Sequence, residues 1–336
     1  MPIVQFRHVD VFAFVDADTD EARAFTTYAG YVGAFNDLIT DAYGVSDPYP
    51  AIATALDRNG RLTRLRNKPY RGEARPVQSL LINGWLSELH LHLVDGNDAG
   101  VVRVANHAAG VHAYYATTRA ASAWLHVLNG TVPTNHAGCL DQIGQLVAKG
   151  AALYPHPWTL ACTATRPGPS YAGFSTPPQA CSNLSTAAPP ADRLAMCLRT
   201  TRERHVAELV AETRRQLRRT RAPSGEAARR DRGLRPTTPF DFLWRIRTRS
   251  NYGDPAVFYM GALTDAQVLG YLLAIKVITA TTMFLFEAMV AHRAPDVFAG
   301  AADHFIARDR SGRTDQVLVP RLAALGFARN PRRAAG

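Results

Sequence analysis

Residues 240–255, FDFLWRIRTRSNYGDP, and the apolar stretch that follows at 265–292, DAQVLGYLLAIKVITATTMFLFEAMVAH, decide the fold class. In the second stretch Val268, Leu272, Ile275, Thr279, Met283, Phe286 and Met289 or Val290 recur every three or four residues, the period of one helix face. The positions between them are largely apolar too, so this helix needs neighbours on most of its sides. Lys276 and Glu287 lie within it. A lysine near a bilayer centre would cost roughly 2.5–3.5 kcal/mol, so burial in protein is expected rather than a membrane span. In the first stretch Arg245, Arg247, Arg249 and Asn251 lead into a turn at Gly253. Arginine forks at such a turn bind phosphate, or pair internally with Asp241 and Asp254.

A helix this apolar requires partners, and residues 106–125, NHAAGVHAYYATTRAASAWL, supply one. Val111, Tyr115, Thr118, Ala121 or Ser122, and Leu125 form a stripe. The small residues between them permit close helix contact, with Tyr and Trp filling the gaps. The polar turn 129–136 leads into a shorter helix at 137–148. Nearer the start, Ala22, Phe25, Ala29, Val32, Phe35 and Ile39 mark a helix capped by Asp18 or Thr19 and running to about Ala42. Val9 to Val15 reads as a short strand or a buried first turn. The acidic run Asp16, Asp18, Asp20 has neither the Gly nor the Glu that a calcium loop needs at its sixth and twelfth positions, and reads as a cap. Another helix is expected at 76–94, burying Val77, Leu80, Leu81, Trp85, Leu89 and Leu93, with His90 and His92 as surface or boundary residues.

The charge is local. The chain of 336 residues has a net charge of +10, with 38 Lys plus Arg against 28 Asp plus Glu. Residues 199–249 contain 15 Arg, no Lys and 6 acidic residues, which accounts for nine of those ten charges. Such a patch attracts phosphate polymers through a salt-screened field, and a solvated helix face has the same composition. No aromatic residue interrupts 199–234, so this run offers no stacking platform. The Pro-rich segment 160–192 and residues 222–237 read as surface loops or linkers.

Cys139, Cys162, Cys181 and Cys197 form no C-x-x-C pair, which suits reduced structural thiols. The N-terminus shows no export-signal pattern, so a cytoplasmic protein without a membrane partner is expected. There is no Gly-rich phosphate loop and no local Ser-His-Asp or Cys-His spacing, and neither a cofactor nor a metal is expected. Two Arg-His spacings stand out, Arg199 with His205 and Arg119 with His126. With this many arginines both are readily coincidental.

The two halves resemble HEPN domains. Tyr114, Tyr115, Ala116, Ala120 and Ala121 match a Y-Y-A-x-x-x-A-A pattern of the opening helix, which a polar turn follows. Arg247, Tyr252, Gly253 and Asp254 match an R-x-x-x-D-Y-G-D turn before the last helix, with Asn251 in place of its first Asp. The likeness covers residues 106–150 and 240–290. It implies an all-α antiparallel helical bundle, HEPN-like, with a long Pro/Arg-rich insertion. The organisation expected is an N-terminal mostly helical region at 1–100, a split helical domain at 101–158 plus 238–293, an insertion at 159–237 with a flexible Pro-rich part and a basic helix at 191–220, and a C-terminal tail at 294–336.

The resemblance also implies binding of RNA or another nucleotide-bearing partner, a homodimer or protein partner, and, as a further step, divergent endoribonuclease activity of a toxin–antitoxin or defence kind. Family ribonucleases use an R-x(4–6)-H motif. Here Asn251 and Tyr252 follow the arginines, and no His comes before His292. Catalysis is therefore assigned to Arg247, Arg249, Asn251 and Tyr252, with RNA contact from Arg245, Arg214, Arg215, Arg218 and Arg219. Two rival readings are a noncatalytic helical interaction module and a metal-dependent helical enzyme using His107, His112 and Glu88 or His92.

Overall fold

The computed structural model describes residues 7–8, 19–58, 63, 67, 70–133, 135–149, 154–179, 188–253, 255–309 and 312–327. Val9 to Val15, Asp16, Asp18, Cys181 and Asp254 lie outside the described residues.

Most helix signals have a structural counterpart, although Leu93, expected to be buried, is exposed just past the end of its helix at His92. Thr19 caps α1 (Asp20–Tyr43) by accepting from the Ala22 amide, and the apolar face from Ala22 to Ile39 is buried. α2 (Tyr49–Asp57) and α3 (Ala74–His92) follow. Asp98 caps α4 (Ala99–Asn129), which begins earlier than its small-residue stripe suggests and ends on the left-handed Gly130. α5 (His136–Lys149) completes the first half. α6 (Pro190–Gln216), α7 (Glu226–Gly233), α8 (Pro239–Thr248), one π-helical turn (Arg249–Gly253) and α9 (Ala256–Met260) lead to α10 (Asp265–Arg293). The tail folds as α11 (Pro295–Arg308) and α12 (Arg313–Ala324).

The chain is an all-α bundle, with, among the described residues, one small antiparallel hairpin of β1 (Ala161–Ala164) and β2 (Ser170–Ala172). α10 is the central element. It lies along α4 and also meets α1, α2, α3 and α11, so its apolar residues are covered on all sides. This is a helix long and apolar enough to cross a membrane, and most of it is buried inside the protein. Its partners come close because their facing residues are small. A Cβ on Gly84 of α3 would lie 3.2 Å from the Ala116 carbonyl of α4 and from Met283 of α10. Two of the large rings are satisfied internally: Trp158 donates to Thr282 at 3.0 Å, and Trp85 donates to Glu287 at 2.7 Å.

The Pro/Arg-rich segment differs from the linker its composition suggests. α6 packs along α1, and one hydrophobic cluster includes Leu194, Cys197 and Leu198 of α6 together with Phe25, Phe242 and Phe284. The hairpin is tied in by paired backbone bonds between Cys162 and Thr237. Beneath it Arg202 and Asp231 form a fully buried ion pair with Nε to Oδ1 at 2.6 Å. Arg202 also donates to the carbonyls of Asp231, Leu234 and Arg235, while the other Asp231 oxygen accepts from the Thr165 and Arg166 amides and the Thr165 hydroxyl. Charges counted as solvated by composition are here the anchor of the segment, because every polar atom in the pair finds a partner. Replacing Asp231 with Asn removes the charge opposite Arg202 and leaves an amide donor among donors. A loss of about 1–3 kcal/mol is expected by urea unfolding.

The tail is anchored in the same way. Arg321 of α12 sits fully buried between Glu88 of α3 and Glu287 of α10, pairing with both. His92 is buried beside Glu88, its Nε2 3.8 Å away, whereas His90 is exposed. The boundary reading of the two histidines thus holds for one only. Both sit on α3 but point to opposite sides of it.

Candidate functional site

α8 begins with a capping box. The Thr238 amide donates to Asp241 at 2.8 Å, and Asp241 is gripped on both oxygens by Arg235 at 2.9 and 2.6 Å. Asp241 is therefore the internal arginine partner, and that arginine is Arg235. From this fixed start α8 lays Ile246 against α4 at Gly110, where an added Cβ would lie 2.2 Å from the Ile246 Cγ2. Only a glycine permits this approach. Gly110→Ala is expected to push α8 outward, costing about 1–3 kcal/mol and displacing the arginines that follow. The readout is the denaturation midpoint of the variant.

The arginines of the turn part company. Arg245 points inward, its guanidinium over the rings of Tyr28 and Tyr31 and its Nη1 donating to Thr200 and Thr201 at 2.8 and 3.0 Å. Arg247 points to the other side. Its guanidinium lies 5.4 Å from the centroids of Tyr114, Tyr115 and Tyr252, and Nη2 donates to the Tyr115 and Tyr252 hydroxyls at 3.2 and 3.3 Å. The π-helical turn explains the second contact, since residues five apart stack in that geometry and bring Tyr252 back over Arg247. Arg249 is half-buried along Gly253, and Asn251 is exposed.

An imidazole from the other half of the chain lies close by. His136 is the first residue of α5, and its ring lies 5.3 Å from Tyr114 and 5.6 Å from Tyr115, the two rings that carry Arg247. Burial, then Arg247, then Arg119, hold its pKa below the ordinary histidine value. A neutral ring at neutral pH can accept a proton. Tyr114 is buried and its hydroxyl is pushed up to about 12, so it stays protonated. Arg119 of α4 is exposed and makes no hydrogen bond or ion pair among the described residues. The Arg247 guanidinium, an accepting imidazole and tyrosine hydroxyls thus converge at Tyr114 and Tyr115. The arrangement can hold a phosphate, neutralise charge developing on it and move a proton.

No protein-family model, curated protein or solved structure matches the chain.

The remaining candidates lie elsewhere. Arg214, Arg215, Arg218 and Arg219 are exposed at the end of α6 and in the turn after it, with Arg215 pairing to Glu212 at 2.6 Å. His205 packs against the Trp244 ring at 5.1 Å, and Arg199 pairs with Glu203, so that Arg-His spacing is taken up by local contacts. His126 is buried while Arg119 is exposed. The metal-enzyme residues fall into separate places: His112 stacks flat on His90 at 4.8 Å, whereas Glu88 and His92 are buried with Arg321. The positive charge between Glu88 and Glu287 is already supplied by the guanidinium. Among the described residues no three His, Cys, Asp or Glu side chains converge as metal ligands. A cleft of about 530 Å3 between α2, α11 and the end of α12, lined in part by Asp57, His292, Arg293 and Phe327, shares no residue with the Arg247 cluster.

Proposed function

We propose that this chain binds RNA at the Arg247 cluster and cleaves it as an endoribonuclease, in keeping with the likeness of residues 106–150 and 240–290 to HEPN domains. The observation that carries the reading is the meeting of Arg247 and His136 across Tyr114 and Tyr115. In the step this allows, a ring nitrogen of His136 takes the proton of a ribose 2′-hydroxyl. The freed oxygen attacks the adjacent phosphorus, and the bond to the 5′-oxygen breaks. The departing oxygen takes up a proton from the resulting imidazolium, leaving a 2′,3′-cyclic phosphate. Arg247 and Arg119 stabilise the charge on the phosphoryl oxygens. Arg214, Arg215, Arg218 and Arg219 add a sequence-independent attraction for the backbone. Arg245, held by Thr200 and Thr201, supports the turn from inside. A homodimer belongs to this reading through the HEPN likeness.

The test is binding of labelled total tRNA by purified protein at low and moderate salt. Affinity is expected to fall with salt and to drop about tenfold or more in Arg247→Ala, which removes a charge-assisted phosphate contact. Undiminished binding by that variant would place RNA elsewhere on the protein, and no binding at low salt would reject the reading.

A further inference from the structure

Tyr252 is 72% exposed, yet its ring is held in place by Arg247, whose guanidinium lies 5.4 Å from the ring centroid and donates to the hydroxyl at 3.3 Å. An aromatic ring both fixed and presented to solvent does not serve the core. A few residues on, in α9, Tyr259 and Met260 are exposed by 47% and 67%. The positive charge beside Tyr252 comes from Arg247. A positive phosphate site bordered by a pinned, exposed aromatic ring is the combination that holds a flexible strand, with the backbone on the guanidinium and a base on the ring.

We infer that the site takes unpaired nucleotides, one base stacking on Tyr252 while its phosphate lies at Arg247; this rests on the RNA reading above. In an A-form duplex the base faces are stacked on one another and hidden, so a tyrosine face has nothing to stack on, and the 2′-hydroxyl and phosphate are held in helical geometry. A single strand can splay a base onto Tyr252 without breaking pairs. The run 199–234 has no aromatic residue, so stacking falls to this turn rather than to the basic helix. Backbone attraction is common to single and double strands, and the stacking contact alone separates them.

The experiment is fluorescence anisotropy with a labelled RNA 12-mer (about one turn of duplex) alone and annealed to its complement, at moderate salt. The proteins compared are the full chain and its Tyr252→Ala, Tyr252→Phe and Arg247→Ala variants. The single strand is expected to bind more tightly than the duplex. Tyr252→Ala should weaken single-strand binding by about 5- to 100-fold and duplex binding by no more than about twofold, while Tyr252→Phe keeps most of the preference. Arg247→Ala should weaken both. Equal affinity for the two RNAs, or single-strand binding indifferent to Tyr252→Ala while still lost in Arg247→Ala, overturns the stacking inference and leaves the RNA reading standing. No binding of either RNA by the full chain overturns both.

Discussion

Arg321→Met is expected to cost about 3–5 kcal/mol of folding stability, because it leaves the carboxylates of Glu88 and Glu287 buried without their common cation. The guanidinium is fully buried, its Nη1 donates to Glu287 at 3.0 Å and Nη2 donates to Glu88, and it lies 5.5 Å from the centroid of the Tyr49 ring. Loss of that much stability shows as a large drop in the urea midpoint. The two carboxyls also fix the direction of the pH dependence. Burial raises the Glu88 pKa, but Arg321 and His92 outweigh it, so the group is held below the ordinary value. Its contribution is complete above the unfolded glutamate value and is lost as pH falls through the lower folded one. Burial dominates at Glu287 and, despite Arg321, holds its pKa up. Its contribution is complete below the unfolded value and is lost as pH rises through the raised folded one. Glu287→Gln keeps an oxygen for Trp85 and Arg321 and should remove the alkaline loss. Urea midpoints from about pH 3 to about pH 9 check both limbs.

His136→Ala is expected to lower RNA cleavage by about 10²- to 10⁴-fold, the usual contribution of a general acid–base group, while RNA binding changes little. The phosphate contacts of Arg247 and Arg119 remain in that variant. For a base held below the ordinary histidine value by burial and two arginines, cleavage should rise with pH through that lowered pKa and level off by neutrality. Arg119→Gln takes away one of those charges, so its acid limb should move to higher pH. A variant that loses binding together with cleavage would point to a structural role for the ring.

The helices were legible because their signals are local. The face from Phe25 to Ile39, the cap at Thr19 and the apolar period of 268–290 can all be read in short windows, and each is buried or capped as expected. Arg247 and Tyr252 stood out for the same reason, being neighbours in one turn. His136 did not, because nothing in the polar turn before α5 says which distant arginine it will face. The close packing of α8 on Gly110 and the Tyr114 and Tyr115 rings brings the two halves together. The Arg-rich segment and the tail misled for another reason. Composition fits Arg202 and Asp231 to a solvated helix face and says nothing of a partner for Glu88 or Arg321, whereas each is buried opposite a partner far away in the chain. Pairing of that kind has no local period.

The measurement closest to the central claim is cleavage of a labelled single-stranded RNA by the full chain, His136→Ala and Arg247→Ala at equal concentration, with bound fraction followed in parallel. Cleavage by the full chain, binding without cleavage by His136→Ala, and loss of both by Arg247→Ala are expected. Cleavage by His136→Ala at the rate of the full chain, or RNA left intact and unbound by the full chain, would contradict that claim.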